Sequence, residues 1–263
     1  MTLHALPALA IPRPETTFSG DNGSHAGMLL FIQYAFMPNR LDYCGAEDHG
    51  ALLDYWQAQH TDPGLAQILQ TFTGALPYLK LIAHSNGIAD PFDQRVVNAY
   101  WVGNALLDQV DIRQFYASLI ERFGKQLQGR IRDYVIQKVP LGARPHHSFH
   151  VFDVHSRVGA LTYGLEVMEN CRVSWGKILT VEPAHFVIQA QPLILENGKL
   201  ALGLPTTRRA LRQVDDKSFT QDAQAGDWIS VHWNWACDIL SSEQAQRLER
   251  YTRHHIRLAN QTL

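Results

Sequence analysis

Two residue types that bind soft transition metals stand in the rear part of the chain, each within a short β-strand pattern. Cys171 opens the run CRVSWGKIL, and His232 closes the run GDWISVH that begins at Gly226. Thiolate favours zinc, copper and iron, and imidazole binds several of the same metals. A small β module that brings the two runs together would therefore offer a metal one sulfur ligand and one nitrogen ligand.

A second group of candidate ligands lies in the middle of the chain. The run RPHHSFH contains His146, His147 and His150, and Cys44 lies much earlier. On a strand, His146 and His150 would share one face and His147 the other, so at most two of the three converge. A metal site here would need a further ligand such as Cys44. The alternative is that the histidines bond to backbone carbonyls and that Cys44 is a buried loop residue.

Composition and charge exclude several classes of protein. The chain has 263 residues, of which 46% are hydrophobic, enough for one large core or two ordinary ones, and two are expected. A net charge of -2 with scattered Lys and Arg gives no electrostatic footprint for nucleic acid or an anionic membrane. Three cysteines without a disulfide-like spacing fit a reducing compartment, and no apolar run is long enough to span a bilayer, so a cytoplasmic protein is predicted.

The apolar pattern changes along the chain and predicts an α+β protein. Residues 1–27 are poor in large apolar side chains and are predicted to form a flexible leader. Residues 28–165 carry apolar side chains every three or four positions, which predicts a mainly helical domain of unknown role. Residues 166–263 are predicted to form short strands followed by a C-terminal helix.

Local signals place several element boundaries. Asp90 followed by a proline predicts the start of a helix, and a further helix is expected over residues 111–123. The Asn-Gly pair at 197–198 predicts a two-residue hairpin turn. Ser241, with a glutamine three residues later, predicts a capping box at the start of the last helix.

The rear part of the chain resembles the HypC/HupF family of hydrogenase assembly chaperones. That family begins Cys-x-x-x-Pro-Gly-Lys-Val and closes with Gly-Asp-Tyr/Trp-Val-x-Val-His, a short apolar stretch and a helix, which residues 171–179 and 226–248 match here. Trp175 replaces the family's proline, and Cys171 lies inside the chain, so an N-terminal amine ligand is excluded. The front half, in FMPNRLDYCG and NGIADP, is similar to an uncharacterised bacterial family, which supplies no activity.

The resemblance implies a HypC-like β-barrel over residues 166–263 that works as an accessory chaperone and not as an enzyme. It implies that Cys171 transiently binds iron carrying cyanide and carbon monoxide ligands and that His232 supports this thiol. The implied partners are a maturation scaffold protein and the large-subunit precursor of a nickel–iron hydrogenase. Lys177, Trp233 and Trp235 are expected to face such partners.

Two other classes of function stay open. One is a metal-dependent enzyme that uses His146, His147 and His150 with Cys44, generating a diatomic ligand of the hydrogenase iron. The other is an interaction module that binds no metal. The sequence contains no zinc-protease HExxH, P-loop, GxSxG elbow or dinucleotide fingerprint, so ordinary hydrolases and kinases lose support.

Overall fold

The front of the protein is helical, as the spacing of its apolar residues predicts. The computed structural model describes residues 22–45, 50–123, 130–155 and 164–262. The helices of this part are α1 (Asn22–Arg40), α2 (Ala51–Ala58), α3 (Pro63–Gln70), α4 (Leu76–Ser85), α5 (Gln94–Trp101), α6 (Ile112–Phe123) and α7 (Arg130–Ile136), with a 3₁₀-helix at Ala105–Gln109. The helix expected over residues 111–123 is confirmed by α6.

The start of α5 differs from the sequence prediction. The side chain of Asp90 accepts a hydrogen bond from the backbone N–H of Phe92 at 2.8 Å, which closes a turn and not a helix. The helix begins at Gln94, and Asp93 caps it by accepting from the N–H of Arg95 at 2.9 Å. Aspartate favours both turns and caps, so the sequence alone does not decide which of the two aspartates caps the helix.

The histidine-rich segment is helical and not extended, which corrects the sequence prediction. A single turn, α8 (His147–Phe149), continues directly into a π-helix over His150–His155. Residues three apart lie on the same side of a helix. His147 and His150 therefore lie together, whereas His146 precedes the helix. One turn is too short to leave a repeat in the sequence.

The rear of the protein contains a closed β-barrel with one hairpin beside it. Helix α9 (Leu165–Cys171) leads into β1 (Ser174–Val181), β2 (His185–Ala190), β3 (Leu193–Glu196), β4 (Lys199–Leu202), β5 (Thr206–Leu211), β6 (Trp228–His232), β7 (Trp235–Leu240) and α10 (Ser242–Ala259). The barrel closes in the order β1-β2-β5-β7-β6, while β3 and β4 form the hairpin. The turn at Asn197 and Gly198 has positive φ at both residues, as predicted. Ser241 caps α10 through the predicted box with Gln244.

Two apolar cores hold the helices and the barrel. Ile178, Phe186 and Ile229 are among the side chains that form the smaller core, built on the barrel strands. The larger core is continuous from the helices to the barrel, where Phe36 of α1 packs against Trp235 of β7 with ring centroids 5.4 Å apart. Burial of this apolar surface holds α1 against the barrel. The end of β6 therefore lies close to a helix from the front of the chain.

The structure bears on the predicted leader and on the predicted boundary between the two domains. Helix α1 begins at Asn22 and so includes the last residues of the predicted leader, 1–27, whose residues 1–21 lie outside the described ranges. The predicted boundary between 28–165 and 166–263 falls in the first turn of α9. Among the described helices, none combines the length and the apolar character needed to cross a bilayer.

A buried ion pair fixes the segment that leads into the barrel. Arg172 is 1% exposed, and its guanidinium donates to the carboxylate of Glu169 at 2.7 and 3.2 Å. Glu169 also accepts from Arg208 at 3.1 Å and from the backbone N–H of Leu193 at 2.7 Å. These contacts hold the backbone of Cys171, the residue next to Arg172, against the barrel.

Replacing Glu169 by glutamine should lower the free energy of unfolding by about 3 kcal/mol, because the buried guanidinium of Arg172 loses its counter-charge. Glu182→Gln is the matched control, since the pair of Glu182 with Arg209 is largely exposed and contributes less than about 1 kcal/mol. Urea denaturation of both variants checks the difference. Equally small losses would show that the buried pair does not anchor this segment.

Candidate metal centre

Three candidate ligands from different parts of the fold meet in one place. A side-chain ligand atom of each of His147, Cys171 and His232 lies within 4.8 Å of the other two. The three residues are 5%, 8% and 2% exposed. His147 begins α8, Cys171 ends α9 and His232 ends β6. The group thus contains Cys171 and His232, which were predicted as a pair, and His147, which was predicted for a second site.

Helix α1 fixes the orientation and tautomer of His232. Pro38 lies inside α1 and has no N–H, so it cannot donate to the carbonyl of Tyr34 four residues earlier. The ring Nδ1–H of His232 donates to this Tyr34 carbonyl at 2.7 Å. Nδ1 therefore carries the proton, and Nε2 carries the lone pair. This Nε2 is buried and makes no hydrogen bond of ordinary geometry among the described residues, although the backbone of Cys171 lies near enough to raise the pKa of the ring against the effect of burial.

The ring of His147 is held at both nitrogens. Its Nε2–H donates to the backbone carbonyl of Cys171 at 2.8 Å, so the lone pair of the neutral ring lies on Nδ1. Nδ1 lies 3.1 Å from the hydroxyl of Tyr100. Burial lowers the pKa of His147 well below its usual value, and neighbouring His232 lowers it further. Burial also lowers the pKa of His232, to about 4. Both imidazoles are therefore neutral at physiological pH, the form that binds a metal.

The thiol of Cys171 is protonated in the metal-free protein. Burial raises its pKa to about 12, against the opposing influence of the indole N–H of Trp233. A bound cation would remove this proton, because a coordinating thiol is deprotonated outright. Trp233 has φ of 51° because it and Asn234, with φ of 58°, form the two-residue turn between β6 and β7.

The donor types of the three residues are ones that bind transition metals. A buried imidazole nitrogen without a partner costs free energy unless something binds it. His232 presents such an atom beside a thiol and a second imidazole. Two nitrogen ligands and one sulfur ligand suit zinc, copper and iron. A fourth position would remain for a further ligand.

A cavity of about 280 Å³ adjoins the three ligands. Its wall includes Cys44 and His150 of the predicted second site, and the aromatic rings of Tyr43, Phe72, Tyr100, Trp101 and Trp233. Cys44 as a whole residue is exposed, yet its thiol is enclosed enough that burial raises its pKa to about 12. Residues predicted for two separate sites therefore line one cavity, with Cys44 and His150 in its wall beside the three candidate ligands.

His146 does not belong to this site. Its Nδ1 is bonded to the hydroxyl of Ser148 at 2.8 Å, and that hydroxyl is also bonded to Nδ1 of His255 at 2.7 Å. All three residues are buried, and the ring of His146 stacks on Tyr251. The prediction of His146 as a metal ligand is replaced by a buried hydrogen-bond network that joins the start of α8 to α10.

The predicted partner-facing residues fall in three different places. Lys177 is exposed on β1, where a partner can reach it. Trp233 lines the cavity and stacks on Tyr43, with ring centroids 3.8 Å apart. Trp235 is fully buried between the rings of Phe36 and Phe219. The structure thus moves Trp235 from the predicted partner surface into the core.

Sequence reasoning missed the residues that support the ligands. Pro38 and Tyr34 orient His232, and Tyr100 bonds to His147. The ring of Trp101 packs 4.5 Å from that of His147 and 5.5 Å from that of His232. A proline within an apolar helical pattern was the visible signal, because it releases a carbonyl that another group must satisfy.

The sequence as a whole identifies a family. A family model matches residues 23–263, and the chain therefore belongs to DUF6390, a family of unknown function. The match runs through both the helices and the barrel. No curated protein and no solved structure matches the chain. The likeness of the rear part to hydrogenase assembly chaperones stays a prediction from residues 171–248.

The proton on Cys171 predicts how metal affinity depends on pH. Between the pKa of His232 at about 4 and that of Cys171 at about 12, the imidazole is neutral and the thiol is protonated. The thiol proton is therefore the one proton that a metal must displace from this pair. Metal binding releases it, so affinity should rise roughly tenfold per pH unit between about pH 6 and 8. Co²⁺ titrations at several pH values measure this slope. A flat profile, or a profile unaltered in Cys171→Ser, would show that the thiol is not the ligand.

Replacing Pro38 by alanine should weaken metal binding by roughly 10–100-fold, the usual effect of losing a group that orients a ligating histidine. The new N–H would compete with His232 for the Tyr34 carbonyl, while the helix itself becomes more regular. Pro77→Ala is the matched control, since Pro77 lies in the first turn of α4 and leaves no helical carbonyl without its donor. Co²⁺ affinity unchanged in Pro38→Ala would mean that this carbonyl does not orient the imidazole.

Proposed function

We propose that this protein binds a transition-metal ion or a metal fragment through His147, Cys171 and His232. The observation that carries the proposal is the buried, unpartnered Nε2 of His232 beside the thiol and the second imidazole. Nδ1 of His232 and Nε2 of His147 each donate to a backbone carbonyl, and metal-ligating histidines are commonly oriented in this way. Nδ1 of His147 is bonded to the Tyr100 hydroxyl, which a bound metal would displace. The site therefore has ligands and an orienting shell around them.

The role we propose is that of an accessory chaperone in the maturation of a nickel–iron hydrogenase. Cys171 would hold iron that carries cyanide and carbon monoxide, in transit to the large-subunit precursor and with a scaffold protein as partner. A closed barrel whose strand β6 ends at the motif histidine, with the motif cysteine of α9 close to it, supports the resemblance on which this role rests. Thiolate is a suitable ligand because soft donors favour iron with strong-field ligands. A cytoplasmic location accords with three cysteines that form no disulfide.

Infrared spectroscopy tests this role. The full-length protein, purified without oxygen from cells that produce the hydrogenase, should show bands of metal-bound cyanide and carbon monoxide. These bands should disappear in Cys171→Ser and persist in Cys237→Ser, which alters a buried cysteine outside the ligand set. Metal without diatomic bands, in cells whose hydrogenase matures normally, would overturn the chaperone role and leave the metal site intact.

A metal-dependent enzyme is the second candidate, and the cavity favours it. Catalytic metals commonly have three protein ligands and one open position. Here three ligands adjoin a space of about 280 Å³, large enough for a small substrate. In this case the metal would stay bound through many turnovers, whereas a carrier loses its cargo to the precursor. Incubation of loaded protein with purified precursor, followed by metal analysis of each, separates the two.

A further inference from the structure

The cavity offers a metal a route to the three ligands. His147, Cys171 and His232 keep only 5%, 8% and 2% of their surface exposed, and all three line this cavity. The exposed residues of the cavity wall are Tyr43, Cys44, Gly45 and Thr73. These residues define the mouth, which lies between the loop after α1 and the turn before α4.

The loop that carries Cys44 is held in place over the mouth. The Asn39 side chain donates to the backbone carbonyl of Cys44 at 2.9 Å. The ring of Tyr43 stacks on Trp233, with ring centroids 3.8 Å apart, and both rings line the cavity. Gly45 has φ of +88°, and a side chain there would clash with the Phe72 ring at 2.5 Å. These contacts hold Cys44 at the entrance of the cavity.

Cys44 lies near the buried ligands but outside their group. It shares the cavity wall with all three, but its sulfur is not in the group of atoms that lie within 4.8 Å of one another. As a residue it is exposed, unlike Cys171 and Cys237, while its thiol is enclosed at the cavity wall. A thiol in this position meets an incoming soft metal before the buried set does.

We propose that Cys44 is the entry and exit ligand of the metal site, a role that rests on the metal binding proposed above. An incoming ion first binds the Cys44 sulfur and displaces its proton to solvent. The Cys44–metal bond then breaks as the Cys171–metal bond forms, and the proton of Cys171 passes to Cys44. Nε2 of His232 then binds the ion together with the Cys171 sulfur. Release to a partner follows the same steps in reverse.

The test measures the rate of metal exchange separately from affinity, with Co²⁺ alone and the full-length protein. Cys44→Ser should slow both Co²⁺ loading and removal by a chelator roughly tenfold or more, and leave the dissociation constant within about threefold. Cys44→His should restore the rates, because imidazole is again a ligand. Cys237→Ser is the control for loss of a cysteine outside the cavity.

Each other outcome contradicts this role in a distinct way. Unchanged exchange rates in Cys44→Ser would make Cys44 an ordinary loop residue. A loss of affinity as large as that of Cys171→Ser would make it a resident ligand. Slow exchange that Cys44→His does not restore would show that the loop matters only for its shape. Absence of Co²⁺ binding by the wild-type protein would overturn the metal site itself, and the inference with it.

Discussion

Replacing Cys171 by serine should lower the affinity for Co²⁺ or Zn²⁺ by at least about 100-fold while the protein stays folded. Structural zinc sites bind with roughly 10–16 kcal/mol spread over four ligands, so one ligand contributes several kcal/mol. A serine hydroxyl has nearly the shape of the thiol but does not ionise at neutral pH, so it cannot replace the thiolate. Competition with a chromophoric chelator measures the change, and circular dichroism checks the fold.

Cys237→Ser is the control for this result. Cys237 is as buried as Cys171, and its thiol donates to the carbonyl of Trp235 at 3.3 Å, a bond that serine can also make. Its sulfur is outside the group of candidate ligands. We therefore expect wild-type affinity in this variant. Equal affinities in Cys171→Ser and Cys237→Ser would remove the thiol from the site.

His147→Gln and His232→Gln should each weaken metal binding by about 100-fold, although only His232 belongs to the barrel. Each variant removes one lone pair from the set, and the cost per ligand is again several kcal/mol. The effect of His147 is the informative one, because a barrel that binds metal by itself would not need a residue from α8. Isothermal titration with Zn²⁺ gives both values.

His254→Gln provides the comparison. His254 bonds to the carbonyl of Gly142 at 2.8 Å and lies outside the ligand group. Its replacement should leave the Zn²⁺ affinity unchanged. If His147→Gln behaves like His254→Gln, the site consists of Cys171 and His232 alone, and α8 supplies no ligand to it.

Much of the fold follows from local signals in the sequence. The capping box at Ser241 and the Asn-Gly turn at 197–198 involve residues next to each other in the chain, and both are confirmed. Such signals depend only on short-range hydrogen bonds and backbone preferences. The mixed helix and strand class follows from apolar periodicity in the same way.

The composite site depends on contacts that no local pattern encodes. The pairing of Cys171 with His232 was predicted, because both stand in one module. His147 was placed on a strand and in another site, since a single helical turn followed by a π-helix carries no period that the sequence can show. Pro38 can be read from the sequence, but the bond partner of the Tyr34 carbonyl that it leaves without a donor cannot. This partner is His232, which lies beside α1 only because β6 packs there.

X-ray absorption spectroscopy of the zinc-loaded, full-length protein tests the metal centre most directly. We expect one sulfur at about 2.3 Å and two imidazole nitrogens at about 2.0–2.1 Å from the metal. The sulfur should vanish in Cys171→Ser and stay in Cys237→Ser. A shell of oxygen and nitrogen alone in the wild-type protein, or a sulfur that survives the loss of Cys171, would contradict this expectation.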